Sequence, residues 1–117
     1  MHALSEKATA QYEATRKKVK KWINAPSDKD VVFVRGTTEA INLVAHGFGS
    51  WLKAGDQVLI TAMEHHANIV PWQMLRDKIG IELKVIPMDA DGNLKLGMFE
   101  RMLNTNVKLV SVCHASN

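Results

Sequence analysis

Three short stretches of this chain carry side chains whose type and spacing could do chemistry. The first is Arg35-Gly36-Thr37-Thr38. It follows the apolar run Val31-Val32-Phe33-Val34 and precedes Ile41, Val44, Ala45, Phe48 and Leu52 at helical spacing. A strand-to-helix junction presents free backbone N–H groups and the positive end of the helix dipole, here beside two hydroxyls, which suits a phosphate. The full phosphate-loop pattern with its lysine is absent, and from these residues alone a plain helix cap at Thr37 or Thr38 is the favoured alternative. The second stretch is Glu64-His65-His66, after the apolar run Val58-Leu59-Ile60-Thr61. Adjacent histidines in extended chain diverge, and no His-x3-His or Cys-x2-Cys spacing accompanies them, which argues against a metal site. One imidazole could work on a ligand while the other serves structure, or both could be plain loop residues. The third is Cys113-His114-Ala115-Ser116-Asn117. Cys113 continues an apolar strand pattern, so a buried thiol is expected there rather than a nucleophile.

These stretches need elements to position them. A long helix is expected from about Ser5 to Ile23, with Ser5 as N-cap and a stop before Pro26. Its basic run Arg16 to Lys21 reads as a solvated helix end or, alternatively, an anion surface. Val31–Val34 is expected as a strand buried on both faces. Val58–Thr61 reads as a second strand, and a helix runs from Val70 to Ile79, with Pro71 in its first turn and Gly80 as its stop. Ile81–Ile86 alternates with Glu82 and Lys84, which places a third strand near a sheet edge. A turn at Asp89–Asn93, a short helix from Leu96 to Leu103 and a fourth strand from Val107 to Cys113 complete the pattern. Strands alternating with helices mean α/β with four mostly parallel strands. Parallel α/β sheets hold ligands at the carboxyl ends of their strands. The three stretches lie at three such ends, so Thr37/Thr38, His65/His66 and His114/Asn117 are expected to converge.

Composition narrows the function classes. The chain has 117 residues, 46% hydrophobic and 23% charged, an ordinary globular balance. The net charge of +3 arises entirely in residues 1–30, with seven basic and four acidic side chains; residues 31–117 hold eight of each. That distribution argues against a nucleic-acid partner. No stretch is long and apolar enough to span a membrane, and the start of the chain does not read as a signal peptide. The single cysteine excludes an internal disulfide and fits a reducing compartment, so a cytoplasmic location is expected.

Three ordered blocks carry a resemblance. Phe33-Val34-Arg35-Gly36-Thr37-Thr38-Glu39-Ala40-Ile41-Asn42-Leu43-Val44, then Glu64-His65-His66-Ala67-Asn68-Ile69-Val70-Pro71-Trp72-Gln73, then His114-Ala115-Ser116-Asn117 resemble the cysteine desulfurases. These are pyridoxal-phosphate enzymes of the class V aminotransferase family. The Glu64–Gln73 block is similar to the Suf-type branch, which also contains selenocysteine lyases. One departure is Ala40, where the family commonly has glycine; inside a helix it should be harmless. The resemblance covers nearly the whole chain and implies a partial large domain of a fold-type I pyridoxal-phosphate enzyme. Residues 1–30 would supply the N-terminal helix and residues 31–117 the α/β segment.

The resemblance also implies roles. Thr37 and Thr38 would hold the phosphate of pyridoxal 5'-phosphate, His65 would stack on its ring, and Asn117 would approach its phenolic oxygen. The family takes sulfur from L-cysteine, leaving alanine and an enzyme persulfide, for iron-sulfur cluster assembly or other sulfur supply. A homodimer and a sulfur acceptor protein are the implied partners. The family's Schiff-base lysine, its ring-nitrogen aspartate and its persulfide cysteine would all lie beyond Asn117, so the chain is expected to be a fragment that is inactive alone. The resemblance further implies a seven-stranded sheet in which later strands separate Val31–Val34 from the next three. Val31–Val34 is therefore expected either to stand apart or to pair with Val107–Cys113. Two other readings stay open: a small non-enzymatic α/β module that binds a phosphorylated ligand, and another class V enzyme such as a selenocysteine lyase.

Overall fold

The computed structural model describes residues 2–116. The chain divides into two compact units, Met1–Val34 and Arg35–Asn117.

In the first unit, helix α1 spans Ala3–Trp22 and buries none of its residues. It begins two residues before Ser5, with His2 in the cap position and no side-chain cap. Its end is sharply defined. Asn24 takes a left-handed conformation (φ 56°), Ala25 N–H bonds Lys20 O at 2.9 Å, and Asn24 N–H bonds Lys21 O at 3.3 Å. This is the glycine-type helix stop, made here by asparagine, which tolerates positive φ better than other side chains. Ser27 and Asp30 then cap a single 3-10 turn, Asp28–Asp30.

The expected strand at Val31–Val34 does not form. The segment is irregular, with Val31 buried but Val32 62% and Phe33 39% exposed. A strand exists through its ladder, and this segment pairs with none of the described strands. Side chains of α1 hold it instead. Phe33 meets Tyr12 edge-on with ring centroids 4.9 Å apart. The Arg16 guanidinium lies 5.2 Å from both ring centroids and donates to Val31 O.

The second unit holds a three-stranded, all-parallel sheet in the order β2-β1-β3. Strand β1 is Gln57–Thr61, β2 is Glu82–Ile86 and β3 is Val107–Ser111. Every residue of β1 is buried, as a central strand requires. Strand β2 forms one edge, with Glu82 and Lys84 exposed as the alternation predicts; Val85, expected on the buried face, is exposed as well, because an edge strand has a neighbour on one side only. Helix α2 spans Thr37–Gly49, α3 Val70–Ile79 and α4 Leu96–Met102. Val58 and Ile60 of β1 pack with Ala45 of α2, Trp72 of α3, and Leu52 and Ile81. Pro71 sits in the first turn of α3, where its missing N–H costs nothing, and Gly80 ends it at φ 79°. Parallel strands need crossovers, and α3 and α4 provide them. All three strands therefore finish on the same side, at Thr61, Ile86 and Ser111.

Candidate functional site

Helix α2 starts at Thr37 with Gly36 as its cap residue, and no side chain caps it. Thr37 and Thr38 are thus the first two helical residues rather than caps, and both are exposed. The first intrahelical bond runs from Ala40 N–H to Gly36 O at 3.0 Å. The N–H groups of Thr37, Thr38 and Glu39 precede it and have no backbone partner among the described residues. Glu39 turns its carboxylate back to the Arg35 N–H at 3.0 Å. The two hydroxyls and the open N–H groups leave an end suited to an anion.

Beyond β1 the chain makes a tight polar turn. Glu64 Oε1 accepts from Thr61 Oγ1 at 2.6 Å and from the Cys113 N–H at 2.7 Å, and Oε2 accepts from Asn68 Nδ2 at 2.9 Å. Burial pushes the pKa of this carboxyl up, but the donors Asn68, Thr61 and Cys113 together outweigh it and hold the group below its ordinary value. His65 caps the 3-10 turn His66–Asn68, its Nδ1 accepting from the Ala67 N–H at 3.1 Å. With Nδ1 occupied as an acceptor, the neutral ring carries its proton on Nε2. The His66 ring stands nearly perpendicular to that of His65 (82°, centroids 6.0 Å apart).

Thr37, Thr38, Ile41, Glu64, His65, Ala67, Asn68, Ser111, Val112 and Cys113 line one cleft of about 470 Å3. That volume lies within the range of about 300–1,000 Å3 usual for small-molecule sites. The fold thus brings the predicted pair Thr37/Thr38 and the predicted His65 to one cavity. His66 and His114 are exposed and not part of its wall, and Asn117 lies outside the described residues. Cys113 departs from expectation. Strand β3 ends two residues before it, the thiol is only half-buried, and its Sγ lies 2.9 Å from Ala115 O. The Val112-Cys113 pair follows the apolar pattern of β3, but the Glu64 carboxylate captures the Cys113 N–H that a longer ladder would need.

The donor set suits pyridoxal phosphate at two points. The α2 start offers hydroxyl and N–H donors for a phosphate, and His65 offers a ring face in a cleft with apolar walls at Ile41, Ala67 and Val112. Among the described residues, the cleft wall contains no lysine. Glu64 and Asn68 also line the cleft, and the motif that contains them assigns neither a role. Glu64 precedes an extended His65, Asn68 closes a 3-10 turn and Trp72 lies in α3, so no single periodicity in the sequence links them.

Relatives with solved structures and curated sequences bear on this geometry. The apo structure of a cysteine desulfurase from Thermococcus onnurineus NA1 superposes with a TM-score of 0.91 at 43% identity, over 100% of this chain and 29% of that one. A probable cysteine desulfurase of Mycolicibacterium paratuberculosis (strain ATCC BAA-968 / K-10) is 54% identical over 99% of this chain and 17% of its own length. A cysteine desulfurase of Escherichia coli O7:K1 (strain IAI39 / ExPEC) is 50% identical over 100% of this chain and 29% of its own length. The chain therefore spans between about a sixth and three tenths of these relatives. The family model "aminotransferase class-V" matches residues 1–117, and on that match the chain belongs to the class-V aminotransferase family.

Proposed function

We propose that this chain forms the phosphate grip and ring wall of the pyridoxal-phosphate site in a Suf-type cysteine desulfurase. The observation that carries the reading is the shared cleft of Thr37, Thr38 and His65. The hydroxyls and N–H groups at the start of α2 hold the phosphate with charge-assisted hydrogen bonds. His65 packs its ring face against the cofactor ring, its orientation set by the Ala67 N–H. Asn117 is the proposed neighbour of the phenolic oxygen. When bound, the cofactor supplies the electron sink, while the protein orients it. The Glu64–Gln73 block supports the Suf-type branch.

The substrate of the whole protein is then L-cysteine and its product alanine, with sulfur passed to an acceptor protein for iron-sulfur cluster assembly. A homodimer in the cytoplasm is the proposed setting. No helix among the described residues is long and apolar enough to cross a membrane. With no lysine in the described cleft wall, the 117-residue chain alone is expected to release no sulfide from cysteine above the rate of free cofactor.

Titrating the chain with pyridoxal phosphate and reading cofactor fluorescence tests the site. Binding should weaken in the Thr37→Val/Thr38→Val variant and in His65→Ala. Inorganic phosphate should compete, but only weakly. If phosphate alone binds as tightly as the cofactor and His65→Ala changes nothing, the site is a bare anion module and the desulfurase reading fails.

A further inference from the structure

We infer that Glu64 is a positioning residue for the site, fixing the turn that carries His65 through a one-way chain of hydrogen bonds. The inference rests on the proposed role of His65. Every partner of the Glu64 carboxylate is a donor: Thr61 Oγ1 and Cys113 N on Oε1, and Asn68 Nδ2 on Oε2. Asn68 is 6% exposed and uses its other end as an acceptor. Its Oδ1 takes the Trp72 indole N–H at 2.9 Å and the Ser111 hydroxyl at 2.6 Å.

The polarity of this chain is fixed at both ends. The indole N–H and the Cys113 backbone N–H can only donate. Asn68 must therefore present its oxygen to Trp72 and its nitrogen to Glu64, and Glu64 accepts with both oxygens, which the carboxylate does with no proton of its own to place among these donors. The pair ties together the end of β1 (Thr61), the end of β3 (Ser111), the chain leaving β3 (Cys113) and helix α3 (Trp72). Residues 64 and 68 are also the two ends of the turn holding His65. Inside that turn, Asn68 N–H bonds His65 O at 2.8 Å and Ala67 N–H bonds His65 Nδ1 at 3.1 Å. The ring is thus set by the turn, and the turn by Glu64 and Asn68. The Glu64 oxygens are occupied by these donors, so its contribution to the site is geometry.

A charge-relocating pair of variants separates geometry from charge. In Glu64→Gln, the amide oxygen can serve Thr61 and Cys113, but the amide nitrogen then faces the Asn68 nitrogen, donor against donor. Adding Asn68→Asp restores every bond, because the new amide at position 64 donates to the new carboxylate at position 68, which still accepts from Trp72 and Ser111. Negative charge moves by one side chain while the pattern is kept. The chain and both variants are examined by long-range nitrogen–proton NMR of the His65 ring without cofactor, and by titration with pyridoxal phosphate. The unmodified chain should show the Nε2–H tautomer. Glu64→Gln should mix tautomers and weaken cofactor binding about tenfold, the loss of one good charge-assisted bond. The Glu64→Gln/Asn68→Asp variant should recover the single tautomer and come back within about threefold of the original affinity. A Glu64→Gln chain with unchanged tautomer and affinity overturns the inference. So does a double variant that stays unfolded or unrestored. If the unmodified chain binds no cofactor, the proposed function fails, while the tautomer pattern still decides the role of Glu64.

Discussion

The Trp72 indole donates to Asn68 Oδ1 at 2.9 Å, a buried bond that joins the first turn of α3 to the polar turn beside the cleft. Trp72 is also 2% exposed and belongs to the apolar core, so one side chain serves both the packing of the sheet and the shape of the site. Aromatic residues with a polar tip suit such boundaries, since the ring is buried apolar area and the N–H needs a partner.

A double-mutant cycle follows from this bond. Asn68 Oδ1 has two donors, Trp72 and Ser111. Ser111→Ala alone leaves the oxygen served by the indole and should cost about 1 kcal/mol. Trp72→Phe alone leaves the hydroxyl and should cost about 1–3 kcal/mol, including lost packing. Together they strand a buried acceptor, so the combined loss should exceed the sum by about 0.5–3 kcal/mol in urea unfolding. Simple additivity would show that the oxygen finds another donor.

Acid should loosen this turn. The donors around Glu64 lower its carboxyl below the ordinary value of 4.5 in the folded chain. A depressed folded value contributes stability above the unfolded value, and that stability is lost as pH falls through the folded one. The stability advantage of the unmodified chain over Glu64→Gln should thus hold at neutral pH and shrink below about pH 4.5. Denaturant midpoints measured from about pH 7 to about pH 3 check this; an advantage that grows on acidification contradicts it.

Thr37 and Thr38 should matter to ligand and little to stability. No side chain caps α2, so Thr37→Val and Thr38→Val should each change unfolding free energy by no more than about 0.5 kcal/mol. Each should weaken cofactor binding about tenfold by removing a hydrogen bond to a charged group. A large stability loss with unchanged binding would reassign both hydroxyls to structure.

Gly80 terminates α3 at φ 79°, and a Cβ there would lie 3.4 Å from the Ala54 Cβ. Gly80→Ala should cost about 1–2 kcal/mol from left-handed backbone strain, with little further steric penalty. Thermal unfolding reads the loss. A neutral result would mean that the helix ends in another conformation.

The sequence went far toward the α/β alternation and the local stops. Val70–Ile79 emerges as a helix with the predicted bounds because Pro71 and Gly80 act through their own backbones. Val58–Thr61 was legible because apolar continuity reports on two-faced burial, whereas the alternation of Ile81–Ile86 marked an edge strand but not its burial, since Val85 is 49% exposed. The Thr37/Thr38 pair stood out because a strand-like run met a helical period at that point.

Other features required the assembled chain. Val31–Val34 has the composition of a buried strand, yet a strand depends on a neighbour, and the segment is held by Tyr12 and Arg16 of α1 instead. Cys113 read as part of β3, yet its N–H goes to Glu64, 49 residues earlier, and the ladder ends at Ser111. Local sequence determines which backbone conformations are cheap, so it announced helices, turns and their ends. Which donor meets which acceptor across the sheet is decided only when β1, β3 and α3 are brought together. That is why the residues alone left His65 and His66 undistinguished and only the family resemblance singled out His65, while the bonding of the Glu64–Asn68 pair became visible only in three dimensions.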